Sequence, residues 1–186
     1  MTKNTKLTAL LLAMALLLPL LCGCGSSQTG YDPLAGVETK TVTDSSGRKV
    51  EVPAEITRVA PSGSTAQMLL MPIAYDLLVG LSSSPSTAQR PYFPEEMWYL
   101  PTFGQFYGSK ASLNMEALIA AQPQVILDLG DAKESIADDM DRIQKQTGIP
   151  TLFIEADLDD MTAAYRMLGS LLGRETEAEP LAAFIE

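Results

Sequence analysis

The stretch PQVILDLGDAKESIADDMDRIQKQTGIPTLFI, residues 123–154, decides the fold class. Residues 125–129 form an apolar run that is typical of a buried strand, and residues 151–154 form a second such run. Between the two runs, apolar residues recur at the i, i+4, i+7 spacing of one helix face, beginning at Ile136. A strand, a helix over residues 131–146 and another strand predict a parallel strand pair with a right-handed crossover.

The alternation of strand and helix patterns continues on both sides of this stretch. Further strands are predicted at residues 57–60 and 77–81, and further helices from about residue 64, at 113–121 and at 159–172. Alternating residues around a Gly-containing turn predict a hairpin of residues 39–43 and 49–52. We therefore expect an α/β fold with three α/β/α layers, a mostly parallel sheet of about four strands, and an N-terminal β-hairpin.

A long loop rich in proline, serine and aromatic residues spans residues 83–111, and a loop of this length in a compact domain is usually functional. Seven of the twelve aromatic residues fall in residues 92–107. They could form a flat wall for a planar or metal-chelate ligand, since aromatic contact supplies apolar burial and stacking. The alternative is that most of these rings fix the loop onto the domain.

The composition excludes several classes of function. The chain has no histidine, which excludes His-based triads and His metal sites. Its formal net charge of −10 makes it a poor candidate for binding nucleic acid or anionic lipid through charge. The pattern G-x-x-x-x-G-K-[ST] is also absent, so nucleotide hydrolysis is not expected.

Residues 1–23 read as a bacterial lipoprotein signal peptide. A basic start is followed by a short apolar run over residues 7–21, too short to span a bilayer. Small Gly23 directly before Cys24 resembles a lipobox, which makes Cys24 the expected site of lipidation; an ordinary signal with two incidental cysteines is the alternative. Residues 24–38 then fit a flexible tether. We expect an exported protein, lipid-anchored to the outer face of the bacterial cell membrane or periplasmic.

The chain ends inside a predicted helix. Thr176 and Glu179 form a T-x-x-E capping box, which predicts that a helix begins there. Because a domain rarely ends about two turns into a newly capped helix with an apolar face, we expect this chain to be the N-terminal part of a longer protein. Residues 39–174 would form its first lobe, and residues 175–186 the start of a connecting helix.

Short motifs in a fixed order carry a family resemblance. They are Thr41-Val42-Thr43-Asp44, Gly47-Arg48, Val52-Pro53, Arg58-Val59, Leu78-Val79-Gly80-Leu81, Leu113-Asn114-Met115-Glu116-Ala117-Leu118, Pro123-Gln124-Val125-Ile126, Gly148-Ile149-Pro150 and Leu168-Gly169-Ser170-Leu171-Leu172-Gly173-Arg174. Together they resemble the substrate-binding lipoproteins of ABC importers for iron–siderophore, haem and cobalamin. The resemblance covers about residues 40–186, and it departs from the usual pattern at Gln124, where an aspartate is usual.

The resemblance implies one lobe of a two-lobed periplasmic-binding-protein-like fold joined by a long helix, with the C-terminal lobe absent. It implies an extracytoplasmic monomer that captures a metal chelate, delivers it to an ABC permease and its ATPase, performs no chemistry and needs no cofactor of its own. Family members dock on permease arginines through a glutamate of each lobe, and Glu116 occupies that position here. The ordinary alternative is a first-turn glutamate favoured by the helix dipole.

Ligands of open α/β sheets bind beyond the carboxyl ends of the strands. Four segments of this chain should reach that edge: residues 61–64, 82–85, the loop up to 109, and 128–131. The candidate ligand contacts are Ser62, Gly63, Ser83, Ser84, Arg90, Tyr92, Phe106, Tyr107 and Asp128. Arg90 and Lys110 are the bases near the long loop; either could meet an anionic chelate, although exposed, solvated side chains are the simpler interpretation.

Two other classes of function remain open. One is a single-lobe, lipid-anchored adhesion or scaffold module. The other is a lipid-anchored hydrolase using Ser62, Ser64 or Asp128, which the lack of histidine and of a G-x-S-x-G motif argues against. The residues do not distinguish haem, cobalamin, catecholate or hydroxamate siderophores and simpler iron chelates as ligands.

Overall fold

The computed structural model describes residues 30–186. The first two described strands, β1 (Thr39–Thr43) and β2 (Lys49–Pro53), form an antiparallel hairpin in which Thr43 pairs with Lys49. Gly47 adopts a left-handed φ of 82° in the turn, a conformation that glycine takes without steric cost. The predicted hairpin is confirmed.

Three parallel strands form the main sheet: β3 (Val59–Pro61), β4 (Val125–Gly130) and β5 (Thr151–Glu155). Their order is β3-β4-β5, so the first strand of the sequence pairs with β4 and β4 pairs with β5. The predicted parallel pair and the α/β fold class are therefore confirmed.

The predicted strand at residues 77–81 is shorter than expected. One parallel bridge joins Leu78 to Val59 on the free side of β3, and Leu81 then bridges to Thr102 instead. Gly80 explains the change of partner, because the ring of Phe103 lies where a side chain at Gly80 would be. The segment turns away from the sheet to pack against the long loop.

Within residues 30–186, five α-helices surround the sheet: α1 (Ser64–Ala74), α2 (Met115–Ala121), α3 (Ile136–Thr147), α4 (Met161–Leu172) and α5 (Glu175–Ile185). The same part of the chain has three short 3-10 helices, at Tyr75–Leu77, Arg90–Tyr92 and Glu95–Tyr99. The predicted capping box at Thr176 is wrong, because Arg174 precedes the first residue of α5 and makes no side-chain cap.

The core lies in two layers, one on each face of the sheet. Alternate residues of β4 point to opposite faces, as the two-residue period of a strand requires. Leu127 packs with α1 and α4 in one layer, while Ile126 packs with Leu118 of α2 and Met140 of α3 in the other. This arrangement is the three-layer α/β/α architecture expected from the sequence.

A buried ion pair fixes the hairpin to the sheet. The Asp44 carboxylate, with a residue exposure of 4%, accepts hydrogen bonds from Arg48 Nη1 at 2.9 Å and from the Phe153 backbone N–H at 3.3 Å. Arg48 Nη1 also donates to the Thr151 carbonyl at 2.9 Å. The Asp44 and Gly47-Arg48 motifs of the sequence thus join the hairpin to β5.

The predicted signal peptide, the predicted lipidation site at Cys24 and residues 24–29 of the predicted tether lie outside the described residues. Within the described residues, Tyr31 contacts the domain through its hydroxyl, which donates to the carbonyl oxygens of Gln122 and Pro123 at 2.9 and 3.0 Å. Among residues 30–186, no helix combines the length and the apolar character needed to cross a bilayer.

Candidate functional site

The carboxyl edge of the sheet brings together three of the predicted segments. Ser62 directly follows β3, and its N–H donates to the Leu127 carbonyl of β4 at 3.0 Å. The long loop of residues 83–111, which we call the aromatic loop, contains Phe106. The Phe106 N–H donates to the Ser62 carbonyl at 2.9 Å. The aromatic loop therefore runs along the ends of β3 and β4, where ligands of this fold class bind.

Asp128 is the polar centre of this edge. Its two carboxylate oxygens accept hydrogen bonds from different hydroxyls: Ser62 donates to Oδ1, and Tyr107 donates to Oδ2 at 2.6 Å. Asp128 is 4% exposed and Ser62 is fully buried. The structure thus joins three of the predicted ligand contacts in one hydrogen-bonded group, which we call the Asp128 group.

Burial controls the ionisation of the Asp128 group. Desolvation raises the pKa of Asp128 above its usual value, although the hydrogen bonds from Ser62 and Tyr107 oppose the shift. Desolvation and the neighbouring Asp128 charge together raise the pKa of Tyr107 well above its usual value. Tyr107 therefore remains a neutral phenol that donates its proton to Asp128.

Lys133 lies against the Asp128 group, and sequence reasoning missed it. Its ammonium is 4.3 Å from the centre of the Tyr107 ring, within the range of a cation–π contact. It also lies 2.5 Å from Asp139 Oδ2, and Arg142 contacts Asp139 Oδ1. The predicted edge segment stopped at residue 131, two residues before Lys133, and only its position after β4 could have indicated it.

Asp139 is held between two cations. Its partial burial favours the neutral acid, but hydrogen bonds and charge from Lys133 and Arg142 outweigh that effect and lower the pKa of Asp139. The Ser135 hydroxyl also lies 3.3 Å from Asp139 Oδ2. Asp139 consequently stays charged and keeps Lys133 beside the Tyr107 ring.

A glutamine from α1 positions the predicted edge segment of residues 82–85, which we call the serine segment. Gln67 Oε1 accepts hydrogen bonds from the Ser82 N–H at 2.7 Å and the Ser82 hydroxyl at 2.8 Å. Its Nε2 donates to the Ser83 carbonyl at 3.2 Å. Ser83 and Ser84 remain exposed, and the Ser84 hydroxyl lies 2.8 Å from the Thr102 hydroxyl. No sequence signal singled out Gln67.

Gly63 lies close to a side chain of the aromatic loop. It is buried at the residue before α1, and a Cβ added to it would collide with the side-chain amide of Gln105. The Gln105 amide therefore lies against the start of α1, beside the Asp128 group. A larger residue at position 63 would require the Gln105 side chain to move.

The remaining predicted contacts differ in exposure and position. Phe106 is buried in the α2–α3 layer with 7% exposure, so most of its ring holds the loop in place. Tyr92 is 85% exposed, and the Arg90 guanidinium lies 5.6 Å from the Trp98 ring centre. Within residues 30–186, no hydrogen bond or ion pair connects Arg90 or Tyr92 to the Asp128 group.

Glu116 is exposed in the first turn of α2. The Asn114 side chain caps this helix by accepting the Ala117 N–H at 3.1 Å, and the Asn114 N–H donates to the Phe103 carbonyl at 2.8 Å. These bonds hold the start of α2 beside the aromatic loop. The Glu116 carboxylate makes no ion pair within the part of the chain that the structure describes.

The burial of Ser62 argues against the hydrolase alternative at this residue. The Ser62 hydroxyl is fully buried and donates its proton to Asp128, so it is not exposed to a substrate in this structure. A serine nucleophile also needs a base that accepts its proton, for which histidine is the usual residue, and this chain has none. Among the described residues, three carboxylates after β5 lie within 4.8 Å of one another: Glu155, Asp157 and Asp160.

Searches of protein families and of curated proteins found no family model and no curated protein that matches the chain. Solved structures do match it. A solute-binding protein of an ABC transporter from Sulfurospirillum deleyianum is 27% identical with a TM-score of 0.64, covering 77% of this chain and 45% of that one. The molybdate periplasmic binding protein MolA of Haemophilus influenzae, bound to molybdate, is 16% identical with a TM-score of 0.57, covering 77% and 49%. The heme binding protein HmuT is 20% identical with a TM-score of 0.52, covering 86% and 49%.

The resemblance to solute-binding proteins of ABC transporters is thus confirmed, and the fold is that of one part of a two-lobed periplasmic binding protein. The chain spans about half the length of the solved structures it matches. These related structures are binding proteins rather than enzymes.

Proposed function

We propose that this chain is the N-terminal ligand-binding lobe of an extracytoplasmic substrate-binding lipoprotein. The whole protein would capture a metal chelate, such as iron–siderophore, haem or cobalamin, and deliver it to an ABC importer. The observation that carries the proposal is the 27% identical match, which covers most of this chain but less than half of an ABC-transporter solute-binding protein. The ligand would lie between this lobe and a second one.

The chemistry of the carboxyl edge supports a ligand of this class. The exposed hydroxyls of Ser83 and Ser84 offer hydrogen bonds, and the half-buried Tyr107 ring offers apolar surface. Two matching structures are named for haem and for molybdate, both of which contain a metal. A metal-containing ligand that needs both apolar contact and hydrogen bonds fits this surface.

The anchor and the partners belong to the same proposal. Lipidation of Cys24 would hold the protein at the membrane by burying acyl CH₂ groups, each worth about 0.8 kcal/mol. The exposed carboxylate of Glu116 would meet an arginine of the permease, whose ATPase drives import. The protein itself would act as a monomer and perform no chemistry.

Differential scanning fluorimetry of the full-length protein tests the proposal. The probes are haemin, cobalamin, a ferric tricatecholate, a ferric trihydroxamate and molybdate. Haemin and the two ferric chelates are compared with their metal-free forms, molybdate with sulfate, and cobalamin with buffer alone. A ligand present at a hundredfold excess over Kd should stabilise the fold by about 2.7 kcal/mol, which raises the melting temperature. The proposal fails if none of these probes raises the melting temperature above that of its control.

A further inference from the structure

The Lys133 ammonium lies at the carboxyl edge of the sheet, and its contacts with the described residues do not use all of its hydrogen-bond donors. Its ammonium faces the Tyr107 ring at 4.3 Å, and its side chain remains 43% exposed. An ammonium has three donor hydrogens. Within residues 30–186, Asp139 is its oxygen partner. Donor capacity is therefore left on the exposed side of Lys133, next to Tyr107.

The charges around Lys133 do not balance within its own cluster. The single Asp139 carboxylate contacts both Lys133 and Arg142, whose side chains are 43% and 61% exposed. Within these contacts, two cations therefore share one carboxylate. The neighbouring acids Asp131 and Glu134 are exposed and form no ion pair with Lys133.

Asp128 does not neutralise Lys133 through a direct contact. Its two carboxylate oxygens accept hydrogen bonds from the hydroxyls of Ser62 and Tyr107, and within residues 30–186 no ion pair joins Asp128 to Lys133. The charge of Lys133 acts on Asp128 through space and opposes the rise in the pKa of Asp128 that burial causes. The net charge of the chain is −10, so its overall charge does not account for a lysine at the carboxyl edge of the sheet.

We infer that Lys133 is an anion-recognition contact and that the ligand is an anionic metal chelate with negative charge on its outer oxygens. This inference rests on the proposed function and narrows its ligand class. The chelate would take a charge-assisted hydrogen bond from Lys133 beside the Tyr107 ring. Asp139 and the ring hold the ammonium in place before the ligand arrives, which lowers the entropic cost of binding.

Isothermal titration calorimetry of the full-length protein tests the inference with two probes of matched shape. A ferric tricatecholate carries three negative charges, and a ferric trihydroxamate carries none. Lys133→Met should weaken binding of the tricatecholate about tenfold, since it removes a hydrogen bond to a charged group. Lys133→Arg should restore binding to within about threefold, because a guanidinium can also make the ring contact and a charge-assisted hydrogen bond.

The matched control is Lys145→Met, which removes the same charge from an exposed position in the last turn of α3. It should leave the affinity for the tricatecholate within about twofold, as expected for a distant surface charge. A tenfold loss for the neutral trihydroxamate in Lys133→Met would mean that Lys133 acts through structure, and would overturn the inference. So would equal tricatecholate affinities in Lys133→Met and Lys145→Met.

The inference and the proposed function fail in different ways. If the unmodified protein binds the trihydroxamate but not the tricatecholate, the anionic ligand class is wrong and the binding function stands. If the protein binds neither probe and no other chelate of the thermal-shift panel, both are wrong.

Discussion

Asp128 shows how one buried carboxylate can organise the carboxyl edge of a sheet. Its oxygens bond to hydroxyls that lie 66 residues before it and 21 residues before it in the chain. Because Asp128 is 4% exposed and each of its oxygens accepts a hydroxyl, it holds Ser62 and Tyr107 in place. The proposed ligand surface is the exposed side of the Tyr107 ring, with Lys133 beside it.

The raised pKa of Asp128 predicts an unusual pH dependence of stability. An acid whose pKa is higher in the folded state binds its proton more tightly there, so its contribution is favourable at low pH. That contribution is lost as the pH rises from the usual carboxyl pKa through the folded-state pKa. Asp128→Asn should therefore gain stability relative to the unmodified protein as the pH rises from about 4 to 7.

Urea denaturation at a series of pH values measures this difference. The charge control is Asp138→Asn, an exposed change on α3. A stability difference between Asp128→Asn and the unmodified protein that stays constant, or moves the other way, would show that Asp128 is not held in a desolvated environment.

At the scale of elements, the link between α1 and the serine segment determines where Ser83 and Ser84 are presented. Gln67 makes this link through both atoms of its side-chain amide. Sequence periodicity could not reveal it, because Gln67 lies on a helix with no distinguishing pattern and its partners follow the predicted strand at residues 77–81.

Gln67→Ala should loosen the serine segment while leaving the sheet intact. The loss of its hydrogen bonds should lower the free energy of unfolding by about 1–2 kcal/mol and speed amide hydrogen exchange at residues 82–84. Hydrogen-exchange mass spectrometry checks the local effect. Met68→Ala, an exposed neighbour on the same helix, should leave exchange at residues 82–84 unchanged; equal rates in the two variants would contradict the link.

The elements predicted best from sequence are those whose burial follows one regular period. The runs at residues 125–129 and 151–154 became β4 and β5 because helices cover both faces of the parallel sheet and bury both strands. The equally apolar run at residues 77–81 forms only one bridge to β3, since Phe103 packs against Gly80. The spacing of apolar residues indicates which residues are buried, but it does not indicate which neighbouring element buries them.

The candidate site was predicted in part for the same reason. Strand ends identified Ser62 and Asp128, and aromatic density identified Tyr107, but their hydrogen bonds depend on contacts between distant segments. Lys133 was missed because its position over the Tyr107 ring depends on where the chain turns after β4. Tertiary packing determines which side chains of distant loops meet, and local sequence patterns do not reveal that packing.

For the whole molecule, if Glu116 docks on a permease as proposed, a change at Glu116 should weaken docking without changing ligand binding. Glu116→Lys should weaken docking about tenfold, because it replaces an attraction to arginine with repulsion. Stimulation of the partner transporter's ATPase in proteoliposomes measures docking, and calorimetry should show unchanged chelate affinity. Glu175→Lys, exposed in the first turn of α5, is the charge-matched control. Equal stimulation by both variants would remove Glu116 from the docking surface.

The proposed membrane anchor depends on Cys24, which lies outside the described residues. Cys24→Ser should abolish incorporation of a labelled fatty acid in cells and release the protein from the membrane fraction, because the thiol that receives the lipid is gone. Cys22→Ser should keep both the label and the membrane location. Labelling that persists in Cys24→Ser would show that the lipobox is misassigned.

A crystal structure of the full-length protein with the chelate that gives the largest thermal shift tests the proposed binding site most directly. We expect the chelate to lie at the carboxyl edge of β3 and β4, touching the Tyr107 ring. Lys133 Nζ should be within hydrogen-bond distance of an anionic oxygen, and a second lobe should close over the chelate. A chelate bound at the opposite edge of the sheet, or on the hairpin, would contradict the proposed site.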